Sequence, residues 1–217
     1  GVDAVSMVKK GFKIETLLEY RPHEKRDKND FSETGALNAI ANVEVNHLIN
    51  EDIMNLDIER IAKLCSKSNY TNATFSIQCD EFSNVKAKLL KDSALDDGTS
   101  SLDMVIDAIN IVSKFNFPTV LVENVPNFFT SDAGKILMAR LNRLGYKTYW
   151  DKFDARDYGG LTSRVRGYLF ATMLPGNFEM PKPTNKNETP IWELLNFDER
   201  IASGELRDIT HTSSLQD

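Results

Sequence analysis

Ala73-Thr-Phe-Ser-Ile-Gln-Cys-Asp-Glu-Phe-Ser-Asn84 opens as an apolar, β-prone run and turns polar and acidic at Cys79. The run Ala73 to Ile77 predicts a strand, and the switch at Cys79 predicts its carboxyl end. In an α/β sheet that end is where reactive groups are presented, in the crevice outside the strands. A cysteine placed there serves as an exposed nucleophile. Taken alone, Cys79 reads first as a small buried hydrophobe. Two stretches downstream weigh against that second reading: Val120-Leu-Val-Glu-Asn-Val125 and Thr162-Ser-Arg-Val-Arg166.

Outward from Cys79, strand-like and helix-like segments alternate. On the N-terminal side, residues 1–10 carry apolar residues at helical spacing and stop at Gly11, a helix C-terminal glycine. Phe12 to Leu18 reads as a strand closed by Glu19-Tyr-Arg-Pro22, and residues 23–33 as a charged loop. Thr34 to Ala41 reads as a helix and Val45 to Ile49 as a strand that runs into Asn50-Glu-Asp-Ile53. Leu56 to Cys65 has a helical apolar period. A helix followed by a strand that ends in an acid is half of a nucleotide-binding unit, in which the acid accepts bonds from ribose hydroxyls. Glu19 on its own is also a plain solvated strand-end residue.

On the C-terminal side, Lys86 to Gly98 reads as an exposed loop. Ser100-Ser-Leu-Asp103 caps a helix to about Lys114, with Leu102, Val105, Ile106, Ile109 and Val112 as its inward stripe. Thr119 to Val122 reads as a buried parallel strand, and Ser131 caps a helix that ends at Gly145. Tyr146 to Trp150 and Tyr168 to Met173 read as strands around the loop 154–163. From Leu174 the prolines at 175, 181, 183 and 190 mark a linker. Ile191 to Phe197 is a short helix candidate, and residues 198–217 read as a polar tail. The alternation from residue 4 to 173 predicts an α/β layered domain with a mostly parallel sheet.

Bulk composition narrows the function. The chain has 217 residues, 41% hydrophobic and 27% charged, enough for a sizeable core. No run reaches the roughly 20 apolar residues of a membrane span, and no secretory leader is visible. Two cysteines, Cys65 and Cys79, and three histidines, His23, His47 and His211, form neither a disulfide framework nor a metal cage. We expect no metal, no membrane association, and a reducing location, cytoplasmic or, in a eukaryote, nuclear. The net charge of −6 lacks the basic footprint of a chain whose main surface grips phosphates. Nucleic-acid contacts, if made, are local or supplied by another segment or chain.

The order Cys79 loop, helix, Glu123-Asn-Val-Pro126, then Asp157-Tyr-Gly-Gly…Arg164-Val-Arg166 resembles the DNA cytosine-5 methyltransferase family over nearly all of residues 1–173. The last two motifs are specific in combination. The Cys79 loop is a partial match, with Gln78-Cys79-Asp80 where the family usually has Pro-Cys-Gln. The resemblance implies a Rossmann-like S-adenosylmethionine-dependent methyltransferase fold, with a mostly parallel sheet and a C-terminal antiparallel hairpin. Residues 1–173 are then the catalytic domain and 174–217 a linker and the start of a following region.

The family chemistry gives each residue a role. Cytosine C5 is a poor nucleophile until a thiolate adds at C6, the part implied for Cys79. Glu123 assists at N3 and the exocyclic amine. Arg164 and Arg166 hold the base or a flanking phosphate and bias the thiol toward thiolate. Without that context Glu123 is a turn anion and the arginines a solvated strand edge. Glu19 matches the acid on the cofactor ribose, and Asp52 with Ile53 the pair that contacts adenine. Phe82, Ser83 and Asn124 fall in motifs beside the substrate base. The implied cofactor is S-adenosylmethionine and the implied partner double-stranded DNA with a flipped cytosine, in a restriction-modification setting.

Departures from the family pattern leave alternatives. Losing the proline before Cys79 frees φ in its loop, and Asp80 opposes thiolate formation. The family's Phe-x-Gly-x-Gly element would precede Gly1. Its target-recognition part would follow residue 180, come from a missing segment, or be brought by a partner chain. A tRNA cytosine-5 methyltransferase and a catalytically inactive binding or regulatory subunit stay open beside the DNA enzyme.

Overall fold

The computed structural model describes residues 2–19, 32–77 and 101–184, together with 199 and 203. Cys79, Phe82, Ser83, the loop 86–98, the helix expected at 191–197 and nearly all of the two charged stretches 23–33 and 198–217 lie outside the described residues. The elements in chain order are α1 (Val2–Lys9), β1 (Ile14–Leu18), α2 (Ser32–Asn42), β2 (Val45–Ile49), α3 (Ile58–Leu64), β3 (Asn72–Ser76), α4 (Ser101–Phe115), β4 (Thr119–Asn124), α5 (Pro126–Thr130), α6 (Asp132–Arg143), β5 (Lys147–Asp154) and β6 (Val165–Thr172). Strands and helices alternate as expected, in an α/β arrangement.

The strands form two sets. β1 pairs with β2 in parallel, Ile14 opposite Val45 and Leu18 opposite Ile49. The second set has the order β3-β4-β6-β5. There β3 and β4 are parallel, and β6 runs antiparallel to β4 with Val122 opposite Leu169. The parallel pairs and the late antiparallel strand match the fold class expected from the sequence.

Two compact units divide the chain: residues 1–151 with 167–179, and residues 152–166 with 180–217. The core of the first unit gathers around β4 and β6. Val120, Val122, Leu169 and Ala171 fill one face of the sheet, with Val105 of α4, Phe128 of α5 and Leu141 of α6 packed into the same cluster. Along β4 burial alternates, so Glu123 on the other face is only half-buried while Asn124 is 2% exposed. A smaller cluster joins Ile49, Ile61 and Cys65 beneath Leu18, Tyr70 and Phe115.

Several boundaries move from their expected places, each for a local reason. The helix expected from Leu56 begins at Ile58, because the Asp57 carboxylate caps it by accepting from the Arg60 N–H. A single 3-10 turn, Ile53–Asn55, precedes it. β1 begins at Ile14, since Gly11 (φ +89°) closes α1 in the left-handed region and Phe12 N–H returns to the Met7 carbonyl. β4 extends through Glu123 and Asn124 because both pair with β6. β5 extends to Asp154, and α5 was not anticipated because five residues carry no helical period. No helix among the described residues is long and apolar enough to cross a membrane.

Candidate active site

In the first unit the candidate residues sit at strand ends. Glu19 leaves β1, and its backbone N–H donates to the Ile49 carbonyl at the end of β2. Asp52 follows β2 by three residues, and its Oδ1 accepts from the Met54 N–H, capping the 3-10 turn. Ile53 is half-buried against the main core. Because β1 and β2 are parallel neighbours, Glu19 and the Asp52–Ile53 pair emerge from the same end of that pair. Asp107 of α4 interacts with Asp52. Burial raises the Asp107 carboxyl above its usual range, and the charges of Asp103 and Asp52 push the same way.

The second pair of parallel strands carries Glu123. Register sets Ser76, the last residue of β3, directly opposite Glu123. The Ser76 hydroxyl donates to Glu123 Oε2 at 2.8 Å. Tyr168 of β6 pairs with Glu123 on its other side. Asn124 faces the core, where its Nδ2 donates to the Ile77 carbonyl at 3.1 Å and its Oδ1 accepts from the Val125 N–H at 2.8 Å. That buried amide ties the ends of β3 and β4 together, and the chain beyond Ile77 leads to Cys79.

In the second unit the arginines are organised by Asp154. Its Oδ2 accepts from the Ser163 hydroxyl at 2.6 Å, and its Oδ1 from the backbone N–H groups of Arg164 at 2.9 Å and Arg156 at 3.1 Å. The Ala155 N–H closes the loop on the Arg164 carbonyl. These donors, Ser163 first, hold the Asp154 carboxyl below the ordinary aspartate range. Arg166 lies on β6, with Nη1 donating to the Val165 carbonyl.

The structure thus brings Glu123 together with Asn124, and Glu19 with Asp52 and Ile53. Arg164 and Arg166 belong to the other unit, and Cys79, Phe82 and Ser83 lie outside the described residues. Sequence reading missed Ser76 and Asp154. The available signals were a serine ending the strand that leads to Cys79, and an aspartate opening a loop that closes at Ser163.

The family model for C-5 cytosine-specific DNA methylases matches residues 28–215. The chain belongs to that family. It is 32% identical over 99 residues to the type II methyltransferase M.MspI of Moraxella sp, covering 44% of this chain and 23% of the relative. It is 37% identical over 80 residues to M.HaeII of Haemophilus aegyptius, covering 36% and 24%. The matches therefore span about a quarter of those two relatives. Among solved structures, Spodoptera frugiperda DNMT2 aligns with a TM-score of 0.59 at 18% identity, covering 86% of this chain and 53% of the other. A putative DNA modification methyltransferase encoded within an E. coli prophage aligns at 0.57 and 20%, covering 79% and 44%. These likenesses show that the chain shares the α/β fold of those methyltransferases.

Proposed function

We propose that this member of the C-5 cytosine-specific DNA methylase family carries catalytic residues for methyl transfer to C5 of cytosine in duplex DNA, the target base being flipped out of the helix. The observation that carries the reading is the family match together with Glu123, held by Ser76 where β4 ends beside the strand that leads to Cys79. Cys79 adds through its thiolate Sγ to C6, which turns C5 into an enamine-like carbon able to take the methyl group. Loss of the C5 proton and cleavage of the C6–S bond then return the thiolate and the aromatic ring. Glu123 meets N3 and stabilises the charge that builds up as the thiolate attacks. Arg164 and Arg166 hold the base or its flanking phosphate.

The cofactor residues fit their assigned group. Glu19 offers hydrogen-bond acceptors suited to ribose hydroxyls, and Asp52 beside half-buried Ile53 suits a flat ring with a polar edge. S-adenosylmethionine, when bound there, supplies an electrophilic methyl group. Target recognition comes from a further segment or a partner chain, consistent with the acidic balance of these 217 residues.

Covalent trapping tests the reading. Incubation with S-adenosylmethionine and a duplex bearing 5-fluorocytosine should give an adduct, detected by intact mass and mapped to Cys79. Loss of the C5 proton is blocked by fluorine, so the C6–S bond persists. Cys79→Ala should give none. An adduct formed only after adding flanking sequence or a partner assigns this chain as part of a larger enzyme. No adduct under either condition replaces the enzyme by a binding or regulatory subunit, and an adduct on RNA instead of DNA replaces the substrate.

A further inference from the structure

We propose that Ser76 is the positioning residue of Glu123, a two-way hydrogen-bond partner that keeps the carboxyl in one orientation whether it is ionised or protonated. The inference rests on the reading of Glu123 as the group that meets the base. Three observations carry it. Register places Ser76 directly across from Glu123 on neighbouring parallel strands, so their side chains leave the same face of the sheet. The hydroxyl donates to Glu123 Oε2 at 2.8 Å, an ordinary hydrogen-bond length for two oxygens. Ser76 is exposed and Glu123 half-buried, so the pair lies where a base can approach it.

The choice of a hydroxyl has a chemical consequence. A glutamate has three rotatable bonds and, at a strand end, sweeps a wide arc unless something fixes its tip. A lysine or a backbone N–H can only donate, so it reaches the carboxylate or the acid's carbonyl oxygen but cannot accept from the acid's O–H. A serine hydroxyl donates one hydrogen bond and also accepts. It therefore serves the ionised carboxylate as a donor and the carboxylic acid as an acceptor. A residue that exchanges a proton or a hydrogen bond with a ring nitrogen during the reaction is served in both states by that kind of partner. Strand propensity gives no competing reason for serine, since β-branched and aromatic residues fill pleated positions better.

The test compares Ser76→Ala, Ser76→Thr, Glu123→Gln and the double variant Ser76→Ala with Glu123→Gln, in the full chain with whatever flanking sequence supports turnover. Ser76→Ala should lower kcat about tenfold while KM for DNA stays within about twofold, a loss of orientation rather than of binding. Ser76→Thr retains the oxygen and should recover most of the rate. In the Glu123→Gln background, Ser76→Ala should cost nothing further, because the two residues act as a unit. A Ser76→Ala enzyme with unchanged kcat beside an impaired Glu123→Gln overturns the proposal alone, as do losses that simply multiply. A Glu123→Gln enzyme with unchanged turnover overturns the reading of Glu123 and the proposal with it. A second measurement needs no turnover. In the chain with 13C-labelled glutamate, the Glu123 carboxyl resonance, assigned through Glu123→Gln, should move in Ser76→Ala and keep its place in Ser76→Thr. A resonance indifferent to Ser76→Ala overturns the proposal.

Discussion

Asp154 shows how a single carboxylate organises a motif that the sequence presents only as spacing. Three donors from the two arms of one loop converge on it, and their effect is to hold its carboxyl low. Because the folded value lies below the unfolded one, near 3.9, the stabilisation is complete above that pH. It is lost as the pH falls through the lower folded value. At neutral pH the same loss follows from removing the acceptor. Asp154→Ala should speed amide hydrogen exchange at Arg164 several-fold, while Asp154→Asn, which keeps one acceptor oxygen for the backbone N–H groups, should lie between. Equal protection in all three proteins would remove Asp154 from this role. Tyr70 behaves in the opposite sense. Burial pushes its hydroxyl up to about 12, and that hydroxyl is within 2.6 Å of the Thr16 Oγ1. Its contribution is complete below pH about 10 and disappears as the pH rises toward the folded value. Among the six tyrosines, burial also raises Tyr146, so absorbance at alkaline pH should show both titrating late, and Tyr70→Phe should delete the step near 12. At this scale the motif Glu-Asn-Val-Pro pointed to Glu123, and the structure sets that residue on β4 opposite Ser76. The sequence was silent on Ser76 and Asp154, whose roles exist only once register and loop closure set their partners.

Helices and strands were legible wherever period and caps agree. Ser131 caps α6 as expected, accepting from the Gly134 N–H, and Gly145 at φ +95° ends that helix with Tyr146 N–H on the Leu141 carbonyl. Strand ends were less legible, because partner strands decide them: Glu123 counts as strand through its pairing with Ser76 and Tyr168, and Asn124 through its pairing with Gly167. The seat of α5 against α6 was also hidden in composition. Gly134 allows it, since a Cβ there would run into the Phe128 carbonyl and lie 2.7 Å from Phe129 Cα. Both neighbours are backbone, so the helices must part for the methyl group. Gly134→Ala should therefore destabilise by about 1–3 kcal/mol despite the better helix propensity of alanine. Urea unfolding would read this as a lower midpoint at unchanged slope, and a raised midpoint would show that α5 moves aside without cost.

For the whole molecule, the alternation of elements and the order of three motifs were enough to give the fold class and the family, whereas the division at residues 152–166 left no mark in composition. That division matters for charge. The chain carries −6 overall, and in the second unit the basic excess is confined to residues 152–166, where Lys152, Arg156, Arg164 and Arg166 outnumber Asp154 and Asp157, while residues 180–217 carry more acids than bases. If DNA is the substrate, the stretch 152–166 is where a local run of cations can meet phosphates, and the acidic balance of the rest of the chain works against a broader grip. Each phosphate neutralised on duplex DNA contributes about −0.9 to the slope of log K against log salt. We expect a shallow slope for this chain on a short duplex, about −2 to −4. Arg164→Ala with Arg166→Ala should flatten it by about 1 to 2, weakening all sequences alike. Replacing Lys9 and Lys10 at the end of α1 with alanine should leave the slope within error. Equal flattening by both pairs of substitutions would show that the chain meets DNA only through its general charge. A slope of about −6 or steeper would mean that cations outside residues 152–166 carry the interface.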